Sequence, residues 1–173
     1  MIIKSKSYKT DKSVRAIITY VMREAERDGS FVLTRFIEGK DYSSKEIANQ
    51  YLENEKHRKH IRKNNVKAHM EILSFHPKDT PHLNNSVLQK IARKYISLRS
   101  NLAISLATVH RDTKHVHLHF VFSSIEWRTG RSTRLSKSEF STVKRKMEAF
   151  QKQRFPQITY STIDHSAGKK KSF

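Results

Sequence analysis

An alternation of histidine and apolar residues near the middle of the chain constrains the fold more than any other sequence feature. The odd positions from His115 to His119 are histidines, and the residues between and after them are Val116, Leu118, Phe120 and Phe122. This period of two predicts a β-strand with one face in the core, ending near Trp127. Successive side chains point to opposite faces, so the three histidines share the other face.

Imidazoles on one strand face suit a metal site better than a core. His110 precedes a short polar stretch, and a hairpin turn there would bring it opposite His115 on the neighbouring strand. A set of His110, His117 and His119 would leave coordination positions open for a substrate or water. The alternative is an exposed strand with a histidine-rich polar face.

Composition limits the function classes. The chain of 173 residues has 35 Lys and Arg against 16 Asp and Glu, a formal net charge of +19, and no cysteine. The lack of cysteine excludes disulfides and thiolate chemistry and fits a reducing compartment, so we expect a cytoplasmic protein. No apolar run reaches membrane-spanning length, and no signal peptide is expected. A domain this basic is expected to bind nucleic acid, with a membrane surface or an acidic protein as alternatives.

Periodicity and capping signals predict the other elements. We expect strands at 2–8, 31–37, 68–75 and 103–109, and helices from Asp11 or Ser13 to 27, from Ser43 to 63, over 86–97, and from Ser136 or Ser138 to 150. This order predicts an α+β fold with a mainly antiparallel central sheet and helices packed on one face. Helices could also close over the histidine face.

Tyr20 lies in the first predicted helix but off its apolar stripe. The stripe contains Val14, Ile17, Ile18, Val21 and Met22. At about 100° per residue, Tyr20 falls to one side of it, near Ala16 and Arg23. It is therefore not required for the core contact of this helix, although it could pack against another element.

Three motifs together resemble the relaxases, mobilisation nucleases of the HUH endonuclease superfamily, and most closely the P-type mobilisation relaxases. They are Tyr20 in the first helix, a strand ending in Ser74-Phe75, and a His-x-Asp…His-x-His signature formed by His110, Asp112, His117 and His119. Two departures from the family pattern are an extra histidine, His115, and a serine, Ser123, where many members have asparagine.

The resemblance implies a site- and strand-specific DNA nicking and rejoining enzyme of conjugation, plasmid mobilisation and horizontal gene transfer. Tyr20 would attack the scissile phosphate and form a 5′-phosphotyrosyl intermediate. His110, His117 and His119 would hold a divalent metal, Mn or Mg, with Zn, Ni or Co as alternatives. Asp112 would orient a histidine or take the tyrosine proton, and Ser74 would position DNA or the tyrosine.

The resemblance also implies partners. These are single-stranded or hairpin DNA at an origin of transfer, together with accessory relaxosome proteins and a coupling protein. Residues 1–165 would form one nicking domain and 166–173 a basic flexible tail. Expected DNA contacts are Arg111, Lys114, Trp127, Arg128 and Arg131, with packing on the core as the alternative for Trp127.

Several alternatives stay open. HUH replication initiators and transposases share the chemistry, but they usually place the tyrosine after the histidines. In a hydrolytic metal-dependent nuclease, water would attack and Tyr20 would be only structural. If Tyr20 is not the nucleophile of a transesterase, Tyr8 is the next candidate by position. A non-enzymatic nucleic-acid-binding module would bind DNA without the histidines.

Overall fold

The computed structural model describes residues 2–39, 43–111 and 114–163. The strands are β1 (Ile2–Tyr8), β2 (Val32–Arg35), β3 (Ala68–Ser74), β4 (Ala103–His110) and β5 (His117–Glu126). The helices are α1 (Asp11–Asp28), α2 (Ser44–Glu55), α3 (Asn85–Arg99) and α4 (Lys137–Arg154), with a 3₁₀-helix at Pro77–His82. The expected chain order is confirmed.

The five strands form one antiparallel sheet in the order β1-β3-β5-β4-β2, which confirms the α+β class. The histidine strand is central, and β1 is at the edge, as predicted. Within the described ranges, no helix is both long and apolar enough to cross a membrane.

The expectation of helices on one face was wrong, because helices cover both. Leu118, Phe120 and Phe122 of β5 pack with α3 and α4, while Val121, between them, packs with α1 and α2. The histidine face therefore also has a core, which starts beyond the histidines. The hydroxyl of Tyr51 in α2 fixes this layer by donating to the carbonyl oxygen of Val121 at 2.6 Å.

The N-cap of α1 and the end of α2 differ from expectation. The N-cap of α1 is Thr10, whose side chain accepts from the backbone N–H of Ser13 at 3.1 Å, so neither Asp11 nor Ser13 caps it. The second helix begins after Ser43 as predicted but ends at Glu55 instead of residue 63. There the Arg58 guanidinium donates to Glu55 and to the carbonyl oxygen of Val66. These hydrogen bonds tie the segment after α2 to the start of β3.

Gly130 permits the close packing that follows this helix end. Its φ is +70°, and a Cβ added there would stand 1.8 Å from the carbonyl oxygen of His57. Only glycine combines this backbone conformation with this approach.

Candidate active site

Two adjacent antiparallel strands bring the histidines together. His110 ends β4, His117 begins β5 directly opposite it, and His119 follows two residues later. The ring centroids of His110 and His119 are 4.1 Å apart, and those of His117 and His119 are 5.9 Å apart. His110 and His119 are buried, and His117 is half-buried.

The predicted pairing of His110 with His115 was wrong by two residues. The reason is that a shift of two preserves every side chain's face, so the alternation alone could not fix the register. His115 instead lies before the strand, where its Nδ1 is 2.9 Å from the carbonyl oxygen of Phe75. Its ring is 6.1 Å from that of His117, at the exposed rim of the cluster.

Tyr20 stands over this cluster, on the side of α1 that its position predicted. Its ring is edge-on to both His110 and His119, with a centroid separation of 5.5 Å in each case. The side chain is 41% exposed, and the guanidinium of Arg23 lies 5.4 Å from the ring centroid. A phenol thus lies beside the histidines and remains accessible to a large substrate.

Tyr8, the alternative candidate for the nucleophile, is in a different environment. It ends β1 opposite Ala68, and its hydroxyl donates to Sδ of Met70 at 3.8 Å. Partial burial, and then the neighbouring Tyr20, raise the pKa of the Tyr8 phenol. Both effects make Tyr8 harder to ionise and less suited to act as a nucleophile.

Glu24 is a site residue that the sequence reasoning missed. It lies one turn after Tyr20 and is only 1% exposed. One carboxylate oxygen accepts from the backbone N–H of Arg111 at 2.8 Å. The other, Oε1, lies 3.8 Å from Nδ1 of His110. The sequence did contain a signal for it: Glu24 comes three residues after Val21, so this carboxylate lies on the apolar stripe of α1, where a charged residue is unexpected.

The pairing of Glu24 with His110 calls for a positive charge. Nε2 of His110 lies 2.8 Å from the carbonyl oxygen of Val21, a contact that needs a proton on Nε2. Nδ1 of a neutral ring then carries a lone pair, and both this atom and Oε1 of Glu24 are buried without a hydrogen-bond partner among the residues that the structure describes. Two such lone pairs repel, so the arrangement suits a metal cation close to both atoms.

The donor chemistry therefore fits a divalent ion, although the side chains do not enclose one. In the described part of the chain, no three histidine, aspartate or glutamate side chains form a ready-made metal cluster. The ligand set of His110, His117 and His119 stays a prediction. Asp112, the expected orienting carboxylate, lies outside the described residues.

Ser74 is beside the histidines, as the motif predicts. It is the last residue of β3 and lies opposite His117, with its side chain half-buried. Directly paired residues in adjacent strands share a face, so Ser74 borders the histidine cluster.

Of the expected DNA contacts, Arg111 and Lys114 lie near the site. The guanidinium of Arg111 donates to the carbonyl oxygen of Leu83 at 2.7 Å and so holds the segment before α3, which the sequence did not suggest. Lys114 is exposed.

The other three expected contacts lie at the far end of the sheet. Trp127 follows the ten-residue strand β5, whose length places it about 30 Å from His117. Its ring stacks on Phe36 at 4.7 Å, and the Arg128 guanidinium lies 4.2 Å from its centroid. Arg131 is exposed close by. The tryptophan is half-buried, so packing already accounts for one face of its ring.

A family model provides the decisive comparison. The model for relaxases, described as the MobA/VirD2-like nuclease domain, matches residues 20–154, more than three quarters of the chain. The chain belongs to this family. It is a DNA-nicking relaxase domain, as the three motifs predicted, and the match begins at Tyr20.

Solved structures with the same fold come from the MobM relaxase domain (MOBV; Mob_Pre). One is bound to a 26-nucleotide pMV158 oriT DNA, at 15% identity and a TM-score of 0.60, covering 98% of this chain and 97% of that chain. A Mn-bound structure with a 22-nucleotide pMV158 oriT DNA has 15% identity and a TM-score of 0.63, covering 100% and 96%. At this identity the likeness concerns the fold. No curated protein matches the sequence.

Proposed function

We propose that this domain is a site- and strand-specific DNA transesterase that acts at an origin of transfer, with Tyr20 as its nucleophile. The observation that carries the proposal is the position of the exposed Tyr20 ring, 5.5 Å from both His110 and His119. The MobM domains with this fold were solved with oriT DNA, which supports this substrate class.

The phenolic oxygen of Tyr20 forms a bond to phosphorus as the bond from phosphorus to the 3′ oxygen breaks. The phenol proton leaves to a base, and the departing 3′ oxygen takes up a proton. The products are a 5′-phosphotyrosine and a free 3′-hydroxyl. The reverse reaction rejoins the strand, because the phosphotyrosine ester retains the bond energy that hydrolysis would lose.

His110, His117 and His119 would hold a divalent ion, with Mn or Mg as the first choice. The presence of Mn in MobM structures supports this choice. When bound, such an ion neutralises charge that develops on the non-bridging phosphate oxygens. The carbonyl oxygen of Val21 would orient the His110 ring through Nε2, and Glu24 would add a negative charge beside Nδ1, the nitrogen whose lone pair would bind the ion. Asp112 is retained as a second orienting carboxylate or as the proton acceptor.

The rest of the protein would bind the DNA strand. A net charge of +19 favours a polyanion and predicts binding that weakens steeply with salt. Ser74, Arg111 and Lys114 would contact DNA near the nick. Trp127, Arg128 and Arg131 would contact it about 30 Å away, beyond the nucleotides that are cleaved.

The cellular setting is part of the proposal. We expect the domain to act in the cytoplasm on plasmid DNA, with accessory relaxosome proteins and a coupling protein. The boundaries of 1–165 for the nicking domain remain a prediction, and the expected tail at 166–173 lies outside the described residues.

A covalent-adduct assay tests the proposal. The protein is mixed with labelled single-stranded origin-region oligonucleotides and Mn or Mg, and the products are separated on a denaturing gel. We expect label on the wild-type protein, none on Tyr20→Phe, and none on His117→Ala/His119→Ala. Tyr8→Phe is the matched control and should form adduct normally.

Other outcomes identify the rivals. Cleavage by Tyr20→Phe without any adduct would mean a hydrolytic nuclease. Binding that survives in the histidine variant, with no cleavage by any protein across a wide oligonucleotide screen, would mean a binding module.

A further inference from the structure

Tyr160 is an exposed aromatic residue held by a buried carboxylate. Its side chain is 55% exposed, whereas Asp79 beneath it is 1% exposed. Asp79 accepts from the backbone N–H groups of Thr159 and Tyr160 at 3.2 and 3.3 Å, and from the hydroxyl of Ser161 at 2.5 Å. The fold thus fixes the backbone under a ring that it leaves on the surface.

Two basic side chains complete this surface. The His76 ring stacks on Tyr160 with centroids 5.5 Å apart and planes 26° apart. The ammonium of Lys78 lies 4.9 Å from the Tyr160 centroid. The backbone of His76 is held as well, because its N–H donates to the Ser161 hydroxyl at 2.9 Å. We call Tyr160, His76 and Lys78 the aromatic platform.

The platform lies at the same end of the sheet as the histidine cluster. His76 comes two residues after Ser74, which lies opposite His117. Two residue steps and one strand spacing place the backbones of His76 and His117 within about 12 Å. Between them, the carbonyl oxygen of Phe75 contacts Nδ1 of His115 at 2.9 Å. Tyr160 lies beyond residues 20–154, the span that matches the family model, whereas His76 and Lys78 lie within it.

We propose that the aromatic platform binds a nucleobase of single-stranded DNA, with Lys78 contacting an adjacent phosphate. Every base has a π-face, so a stacking site accepts single strands with little sequence preference. An aromatic ring on a fixed backbone loses little conformational freedom on binding. The stacked base would lie within a few nucleotides of the scissile phosphate, and this last point rests on the proposed function.

Fluorescence anisotropy with a fluorescein-labelled dT20 oligonucleotide, without added metal, tests the proposal. Loss of one stacked base should weaken binding by Tyr160→Ala roughly five- to 150-fold. Tyr160→Trp should bind at least as well as wild type. Ile61→Ala is the control, because Ile61 is an exposed apolar residue, 86%, that belongs to none of the expected DNA contacts.

Two further measurements separate stacking from a general loss of structure or charge. On a 20-unit abasic oligonucleotide, which keeps the phosphates, wild type and Tyr160→Ala should bind equally. Lys78→Ala should reduce the slope of log K against log salt by about 0.7, the value for one phosphate contact on a single strand. All variants should show the wild-type thermal midpoint.

The proposal is overturned if Tyr160→Ala binds dT20 like wild type, or if its defect persists on the abasic strand. If the wild-type protein forms the Tyr20 adduct but Tyr160→Ala binds dT20 normally, the base-stacking proposal is overturned and the proposed nicking function stands. A wild-type protein that fails to bind dT20 at low salt would overturn both this proposal and the proposed function.

Discussion

Two buried carboxylates, one on each side of the sheet, differ in how completely they are satisfied. Glu71 faces α3, where it accepts from the Tyr95 hydroxyl at 2.5 Å and from Nε of Arg99 at 2.7 Å. Glu24 faces the histidines and accepts from the N–H of Arg111, while its Oε1 has no hydrogen-bond partner among the described residues. Both side chains are 1% exposed.

This difference indicates that Glu71 has a structural role and that Glu24 is a candidate for a functional one. Burying a charge without partners is costly, so a fold normally surrounds it with donors, as it does for Glu71. An oxygen left without a donor in the described part of the chain, beside a histidine, is a cost that packing does not explain, and an ion or a catalytic role would account for it. Both sides of the sheet thus contribute to the core, and the α1/α2 side also carries the proposed catalytic residues.

The largest expected effect is the loss of adduct formation in Tyr20→Phe, compared with Tyr95→Phe on the other side of the sheet. Tyr20→Phe should reduce adduct formation on the order of 10⁶-fold, below detection, because it removes the proposed nucleophile. Its free energy of unfolding should stay at the wild-type value, since the hydroxyl is on an exposed side chain. Denaturing gels and urea unfolding measure the two quantities.

Tyr95→Phe is the counterpart of that variant. It should form adduct like wild type but lose about 1–3 kcal/mol of unfolding free energy, because buried Glu71 loses a donor. Loss of adduct in a folded Tyr95→Phe protein would contradict the division between the two sides.

Glu71→Ala should be the most destabilising carboxylate change. It leaves the buried Arg99 guanidinium without its ion pair, and breaking such a pair costs about 3–5 kcal/mol. Urea unfolding at pH 7 measures this loss. Metal affinity of the folded fraction should not change, and a selective loss of metal binding would show that the two sides are coupled.

Glu24→Gln should act on the metal more than on the fold. Removing a carboxylate beside a metal-binding histidine typically weakens binding about 10- to 100-fold. Isothermal titration with Mn measures the affinity, and a thermal scan should show little change without metal. Glu26→Gln, the same change at an exposed position of the same helix, is the control. Equal affinity in the two variants would remove Glu24 from the site.

The smallest effect concerns His69, on the same side as Glu71. Burial, and then Arg99 and Arg134, lower the pKa of His69 to about 4. Between pH 6.5 and 4 the unfolded chain binds a proton that the folded chain does not, so stability falls as pH falls through this window. His69→Gln should lose less stability than wild type from pH 7 to 5, by at most about 2 kcal/mol. Equal losses in parallel urea titrations would contradict this.

Local sequence periods predicted the elements well. The alternation in β5, the stripe of α1 and the capping box of Ser43 and Glu46 each depend on residues close in the chain, and each is present. The motif also predicted that Tyr20 meets the histidines. Such signals are local because the side-chain geometry of a helix or strand repeats within a few residues.

Tertiary structure decided what those periods leave open. The alternation was compatible with His110 opposite either His115 or His117, and only packing of the whole sheet chose His117. The apolar stripe of a helix predicts which face of the helix is buried, but it does not predict on which side of the sheet the helix packs. The same holds for contacts between distant residues: Glu24 reaches His110, and Tyr160 reaches His76, only because the tertiary fold brings them together. Sequence thus determined the parts and the chemistry they carry, and long-range packing determined which groups meet.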